Sequence, residues 1–164
     1  MLAITRAVFV CGIGMSMFFD GIVLHQLLQW HHMASQWHPP TTLAGLQINT
    51  VWDGVFHAGA WVVMSVGMAL GWQAIRRQAE PVPTRVVTGS FMMGWGAFNI
   101  LENLLNHFIL QVHHVRETGT RHVLAYDVAF FLLFGLIMTG GGWLLWARGT
   151  QSWRQRSSHA GRAA

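Results

Sequence analysis

The sequence predicts an all-α fold: a four-transmembrane-helix bundle built from two parallel two-helix repeats. Three observations carry that expectation. They are a composition too apolar for a soluble domain, four stretches long enough to cross a bilayer, and acidic and histidine residues that recur at a fixed register. The chain of 164 residues is 52% hydrophobic and only 10% charged, where a soluble domain carries roughly 25% charged residues. Nine Trp and ten Phe exclude a disordered chain and argue against a soluble enzyme. The lone Cys11 excludes an internal disulfide framework and a zinc ribbon. The basic residues are all Arg and lie between apolar runs, so the net charge of +4 does not point to nucleic acid.

A bilayer core of about 30 Å needs roughly 20 largely apolar helical residues. Residues 7–30, 51–72, 86–112 and 123–146 meet that length. Breakers lie between them: His38-Pro39-Pro40, Glu80-Pro81-Val82-Pro83 and Glu117-Thr118-Gly119-Thr120. One membrane domain is expected over 1–147, with repeats over roughly 1–75 and 83–147, followed by a basic, disordered cytoplasmic tail over 148–164. The first span is too polar, with Asp20 and His25, to be a cleaved signal peptide. Arg6, Arg76, Arg77, Arg85, Arg148, Arg154, Arg156 and Arg162 fall on one side of the four spans, and only Arg116 and Arg121 on the other. The positive-inside rule then places the chain in the cytoplasmic (inner) membrane with both termini in the cytoplasm.

Shifting the chain by 82 residues superposes the first span on the third. Asp20 meets Glu102, His25 meets His107, Gln29 meets Gln111, and His31-His32 meets His113-His114. A shift of 74 pairs Trp52-Asp53 with Tyr126-Asp127. Apolar matches between helices come cheaply, but matched acids, Gln and paired His do not. A two-helix repeat unit makes the halves parallel, related by a pseudo-two-fold axis along the membrane normal, with one central site.

At 1.5 Å rise per residue, His25, His57, His107 and Asp127 come out about 6–9 Å below the outer surface and Asp20 and Glu102 about 15 Å. Straight extrapolation puts His31, His32, His113 and His114 at the rim. Intramembrane ionisable groups are costly, so they face inward and pair. Asp53 and His57 stand i,i+4, on one helix face. Asp20 and Glu102 precede their histidines by five residues. An α-helix would put each such pair on different faces, and a local π-bulge would bring them together. The expected ligand set is Asp20, His25, His57, Glu102, His107 and Asp127, with Asp53 and the rim histidines as ligands or as groups behind them. Imidazole with carboxylate suits transition-metal ions, with iron, copper and zinc not distinguished. Haem between His25 and His107 ranks lower because it has no use for the acids. His–carboxylate hydrogen bonds that only tie helices together are the competing structural explanation.

Gly12-Ile13-Gly14, Phe18-Phe19-Asp20-Gly21-Ile22-Val23-Leu24-His25-Gln26 and Gln29-Trp30-His31-His32-Met33 open a pattern. It continues through Asp53-Gly54-Val55-Phe56-His57-Ala58, Phe98-Asn99-Ile100-Leu101-Glu102, His107, His113-His114-Val115-Arg116 and Tyr126-Asp127. Over nearly the whole chain this resembles a family of prokaryotic membrane proteins known as domain of unknown function 2243. Asn106 stands where that pattern leads one to expect a second acidic residue. The resemblance implies the membrane fold and the acid–histidine positions, and it brings no assigned activity. The expected function is a membrane-embedded metal protein with its site near the outer face, acting as an oxidoreductase on a small or lipid-soluble substrate. The opposing class is a metal carrier or an assembly subunit of a larger membrane complex. The bilayer is its expected environment, with homo-oligomer or complex formation left open.

Overall fold

The structure, a computed structural model, describes residues 1–78 and 80–163, with 156–163 described as backbone only. All regular structure among the described residues is helical. Helix α1 (Leu2–Phe19) runs directly into a π-helical segment, Asp20–Leu27. Helix α2 is Leu43–Arg76. Helix α3 (Thr84–Glu102) likewise opens into a π segment, Asn103–Ile109. Helix α4 (Val123–Phe130), a π segment at Phe131–Ile137 and helix α5 (Met138–Ala163) form one continuous rod.

The boundaries follow local chemistry. Thr42 caps α2 by accepting a hydrogen bond from the Gly45 N–H at 3.0 Å, satisfying one donor that a helix start leaves orphaned. Arg76 closes the same helix, where a cation complements the dipole. The Pro81–Pro83 stretch bars helix between α2 and α3. The first outer segment differs from expectation at both ends. Helix ends at Leu27 rather than 30, and α2 begins at Leu43, a full two turns before 51.

The helices lie in the order α2, α1, α3, α5, with α1 and α3 as a central pair. Helices α2 and α5 flank that pair on either side. Glycine decides the central contact: Gly12 sits on the Phe91 carbonyl and Gly94 on the Phe9 carbonyl, so a Cβ at either would collide with backbone. Bare backbones can approach closely where neither side carries a side chain. The outer contacts use the same device. A Cβ on Gly67 would stand 2.7 Å from Cys11 Sγ, and one on Gly142 would stand 2.7 Å from the Gly89 carbonyl oxygen.

Three helices are long and apolar enough to cross a membrane: Leu2–Leu27, Leu43–Arg76 and Val123–Gln155. The fourth expected span, α3 with its π continuation, is not among them. It is the helix with buried Ser90, Asn99, Glu102, Asn103 and His107, and these lower its mean hydropathy. Residues 148–155 continue α5 as helix, where the sequence suggests the start of a disordered tail. The side chains of 156–163, and Ala164 altogether, lie outside the described residues, and so does the rest of that expectation.

Candidate metal centre

The π segments set the geometry of the site. In π-helix the backbone bonds i→i+5, and the last such bonds are Leu28 N–H to Val23 O at 2.8 Å and Leu110 N–H to Leu105 O at 2.7 Å. Acid and histidine five residues apart therefore share a face. His25 Nε2 stands 3.3 Å from Asp20 Oδ2, and His107 Nε2 stands 3.0 Å from Glu102 Oε1.

Immediately afterwards the chain turns inward. Gln29 and Gln111 both adopt φ of 48°, a left-handed conformation uncommon for residues with a side chain. That turn corrects the expected rim positions: His31 is 2% exposed and His113 1%. Their rings stack at 4.5 Å between centroids, 13° from parallel, and lie between His25 and His107. His31 Nε2 is 3.8 Å from Asp20 Oδ1, and His113 Nε2 is 2.9 Å from Glu102 Oε1. Two groups of ligand atoms each fall within 4.8 Å: His25, His31 and His113; and Glu102, His107 and His113.

Three rings, those of His25, His31 and His113, are gripped from behind through Nδ1, whereas His107 Nδ1 is buried without a hydrogen bond. His25 Nδ1 pairs with Asp53 Oδ1 at 2.9 Å. His31 donates to the Val115 carbonyl at 2.8 Å, and His113 donates to the Met33 carbonyl at 3.1 Å. His107 Nδ1 faces Asp127 Oδ1 at 3.5 Å. A partner on the far nitrogen fixes ring orientation and tautomer, leaving Nε2 to bind. The Nε2 atoms of His25, His31 and His107 are buried and make no hydrogen bond, a costly arrangement for polar atoms unless something else meets them. Burial, with His113 and His25 beside it, holds the His31 imidazole well below its usual pKa, so it stays neutral with a free lone pair.

His113 is held at both nitrogens, Nδ1 by the Met33 carbonyl and Nε2 by Glu102 Oε1. Asp20, Asp53, Glu102 and Asp127 are all buried, and their ion-pair partners among the described residues are histidines.

Asp53 and Asp127 sit one layer out. Asp53 also accepts from His32 Nδ1 at 2.7 Å, Gln26 Nε2 at 3.2 Å and the Met33 N–H at 2.9 Å. Asp127 accepts from His114 Nδ1 at 2.7 Å and the Val115 N–H at 2.9 Å. His32 and His114 therefore brace the carboxylates from the solvent side. His57 belongs to neither group of ligand atoms, and its expected pairing with Asp53 is not formed, because both Asp53 oxygens are taken. Its ring edge lies instead on Gly21, with Nε2 2.5 Å from where a Cβ would stand.

Sequence reasoning missed Asn49, which accepts from the Ala34 N–H at 2.9 Å and donates to the Gly45 carbonyl at 3.0 Å, pinning the first outer segment. Its signal was present: Asn49 is one turn before Asp53 on the same face of α2. The roles of the Met33 and Val115 carbonyls carry no side-chain signal.

Apolar helices of spanning length, closed at one end by a buried cluster of four carboxylates and four histidines with His32 and His114 half-buried at its edge, define a helical membrane protein with a potential metal site. The chain belongs to the family described as predicted membrane protein (DUF2243), whose model matches residues 7–149. No match is found among the curated proteins or the solved structures.

Proposed function

We propose that this is an integral membrane metalloprotein whose centre holds two transition-metal ions, one at Asp20, His25 and His31 and one at Glu102, His107 and His113, and that it acts as an oxidoreductase on a small or lipid-soluble substrate. The observation that carries the reading is the convergence of the buried Nε2 atoms of His25, His31 and His107, none with a hydrogen bond, onto Asp20 and Glu102, with Nδ1 of His25 and His31 held from behind. Ligands about 2.1 Å from one ion stand about 3.0–3.4 Å apart for octahedral to tetrahedral angles. The separations of 3.0 Å between Glu102 and His107 and 3.3 Å between Asp20 and His25 fall in that range, 2.9 Å between Glu102 and His113 lies just below it, and 3.8 Å between Asp20 and His31 lies above it. Two-histidine-one-carboxylate sets without thiolate suit non-haem iron, with open positions for exogenous ligands. That openness favours redox chemistry over storage. Haem fits less well, because the stacked His31 and His113 rings fill the space between His25 and His107.

The same reading takes the halves as related by a pseudo-two-fold axis, with α3 as a fourth, shielded span and both termini cytoplasmic. Supporting the axis, contacts recur in exchanged form: His31 to the Val115 carbonyl against His113 to the Met33 carbonyl, and Thr118 N–H to Trp30 O against Gln36 N–H to Val112 O. Supporting the topology is the arginine asymmetry.

Elemental analysis and an optical spectrum of protein purified in mild detergent test the proposal. About two equivalents of iron per chain without a Soret band are expected, with loss of about one of them in His113→Ala. Metal-free protein that keeps its full thermal stability and takes up no added ion overturns it.

A further inference from the structure

The two candidate ion positions differ where their sequences differ. Glu102 reaches both His107 and His113 with a single oxygen, Oε1, at 3.0 and 2.9 Å. Asp20 is one methylene shorter. It meets His25 with Oδ2 at 3.3 Å and His31 only with Oδ1 at 3.8 Å. One position is drawn tight; the other is slack.

The walls differ as well. After Glu102 comes Asn103, whose Nδ2 donates to the Asp127 carbonyl at 3.2 Å and whose Oδ1 is buried without a partner. The residue on the adjoining helix at the 74-residue register is Phe131. After Asp20 comes Gly21, which has no side chain, and the corresponding residue on α2 is His57. The His57 ring edge lies against Gly21, and its Nε2 is buried with no hydrogen-bond partner. Exchanging Gly21 for any larger residue would displace that imidazole. Only the Asp20 side therefore combines a loosely gathered ligand set with an unused hydrogen-bonding group beside it.

We infer that the Asp20 position is the substrate-binding one: its ion takes a small exogenous ligand of the anionic or oxygen-donor class, which His57 steadies by a hydrogen bond, while the Glu102 position is closed. This rests on the metal reading above and assigns roles within it. His57 is a binding residue for the exogenous ligand and not a metal ligand. The Asn103 carbonyl oxygen can only accept a hydrogen bond, so it cannot serve an anion in the same way.

Cobalt(II) and azide are suitable probes. Cobalt is titrated into metal-depleted full-length protein in detergent and followed by its visible spectrum and by bound metal. Azide is then titrated into the loaded protein. Two cobalt ions should bind per chain, and azide should perturb the bands of one. His57→Phe, which copies the residue of the other half, should still bind two cobalt ions and should weaken azide at least tenfold. Asp20→Glu should also bind two ions and lose the azide response, because the longer side chain can gather the set as Glu102 does. Phe131→Leu should leave azide affinity within twofold. Failure of cobalt to bind the wild-type protein refutes the metal reading itself, and this inference with it. Two bound ions that both respond to azide, or an azide affinity unchanged in His57→Phe, overturn this inference and leave the metal reading standing. Should His57→Phe not fold, His57→Gln, which keeps a donor of similar reach, must retain azide within about threefold while His57→Ala loses it; equal affinities in those two also overturn the assignment.

Discussion

Adding one methyl group at Gly94 tests the central helix contact directly. The Cβ of Gly94→Ala would fall onto the Phe9 carbonyl oxygen, with the Phe9 carbonyl carbon at 2.8 Å and the Ile13 nitrogen at 3.1 Å. All three are backbone atoms of α1, so no rotamer change relieves the clash. The helices must part by on the order of 1 Å, a typical overpacking cost of about 1–3 kcal/mol. For a chain of this length that corresponds to about 2–4 °C in Tm per kcal/mol, or roughly 2–12 °C in all. Gly54 supplies the control. A Cβ there meets nothing within 4 Å, so Gly54→Ala should be neutral or more stable by up to about 1 kcal/mol through helix propensity. Thermal melting of both variants in one detergent, followed by circular dichroism, gives the comparison. Gly12→Ala makes the mirror collision with the Phe91 carbonyl. Once one substitution has parted the helices the second costs less, so the double variant should lose less than the sum. Gly94→Ala melting at or above Gly54→Ala would show that α1 and α3 do not meet as described.

Three further outcomes follow from single residues. Gln29→Gly should raise stability by about 0.5–1 kcal/mol in a melting experiment, because φ of 48° is strained for a residue with a Cβ, whereas Gln29→Val should lower it by more. Asp53→Ala removes the carboxylate behind His25 and should weaken metal about 10–100-fold in chelator competition with the fold retained; unchanged affinity would separate Asp53 from the centre. A cysteine placed at Pro39 should react with an impermeant reagent on intact cells, and one at Ser152 should not, in a background lacking Cys11; the reverse pattern would invert the proposed topology.

Helices, spacing and the buried acids were legible because they depend on apolar run length and on residue type. The five-residue separation of Asp20 from His25 allowed two outcomes, and the π segments Asp20–Leu27 and Asn103–Ile109 decide between them. What sequence could not show lies beyond the last helical turn. Extrapolating α1 in a straight line carries His31 and His32 outward, but Gln29 reverses the chain at a conformation its side chain disfavours, and His31 returns to the centre. No propensity argument predicts a left-handed glutamine. The Asp53–His57 pairing fails for a related reason. Helix geometry alone suggests it, but the returning segment presents His25, His32 and the Met33 N–H to Asp53 first. The flanking places of α2 and α5 were not legible either: Gly12 and Gly94 let α1 and α3 meet backbone to backbone, which leaves α2 and α5 outside.

The exchange of supports between the two halves bears on why such a cluster persists in an apolar chain. His31, on the first outer segment, is oriented by a carbonyl of the second, and His113, on the second, by a carbonyl of the first. Neither hairpin can build its share of the centre alone. His25 to Asp53 at 2.9 Å joins helix to helix, and the shortest contacts, His32 to Asp53 and His114 to Asp127 at 2.7 Å, tie the outer segments to α2 and α4. The supports of His31 and His113 run instead between loop backbones and imidazoles, at the end of the bundle where the helices have already opened into π turns. Glycine contacts along α1, α2, α3 and α5 already hold the helices together, so the polar end is free to answer a different demand. It places buried carboxylates together with His25 and His31, whose Nδ1 atoms are held and whose Nε2 atoms make no hydrogen bond. As a structural device that arrangement is poor, since replacing buried ionic groups by packed apolar residues is often neutral or stabilising. As a coordination sphere awaiting cations it is coherent, because each hydrogen bond behind a ring then holds a lone pair on target.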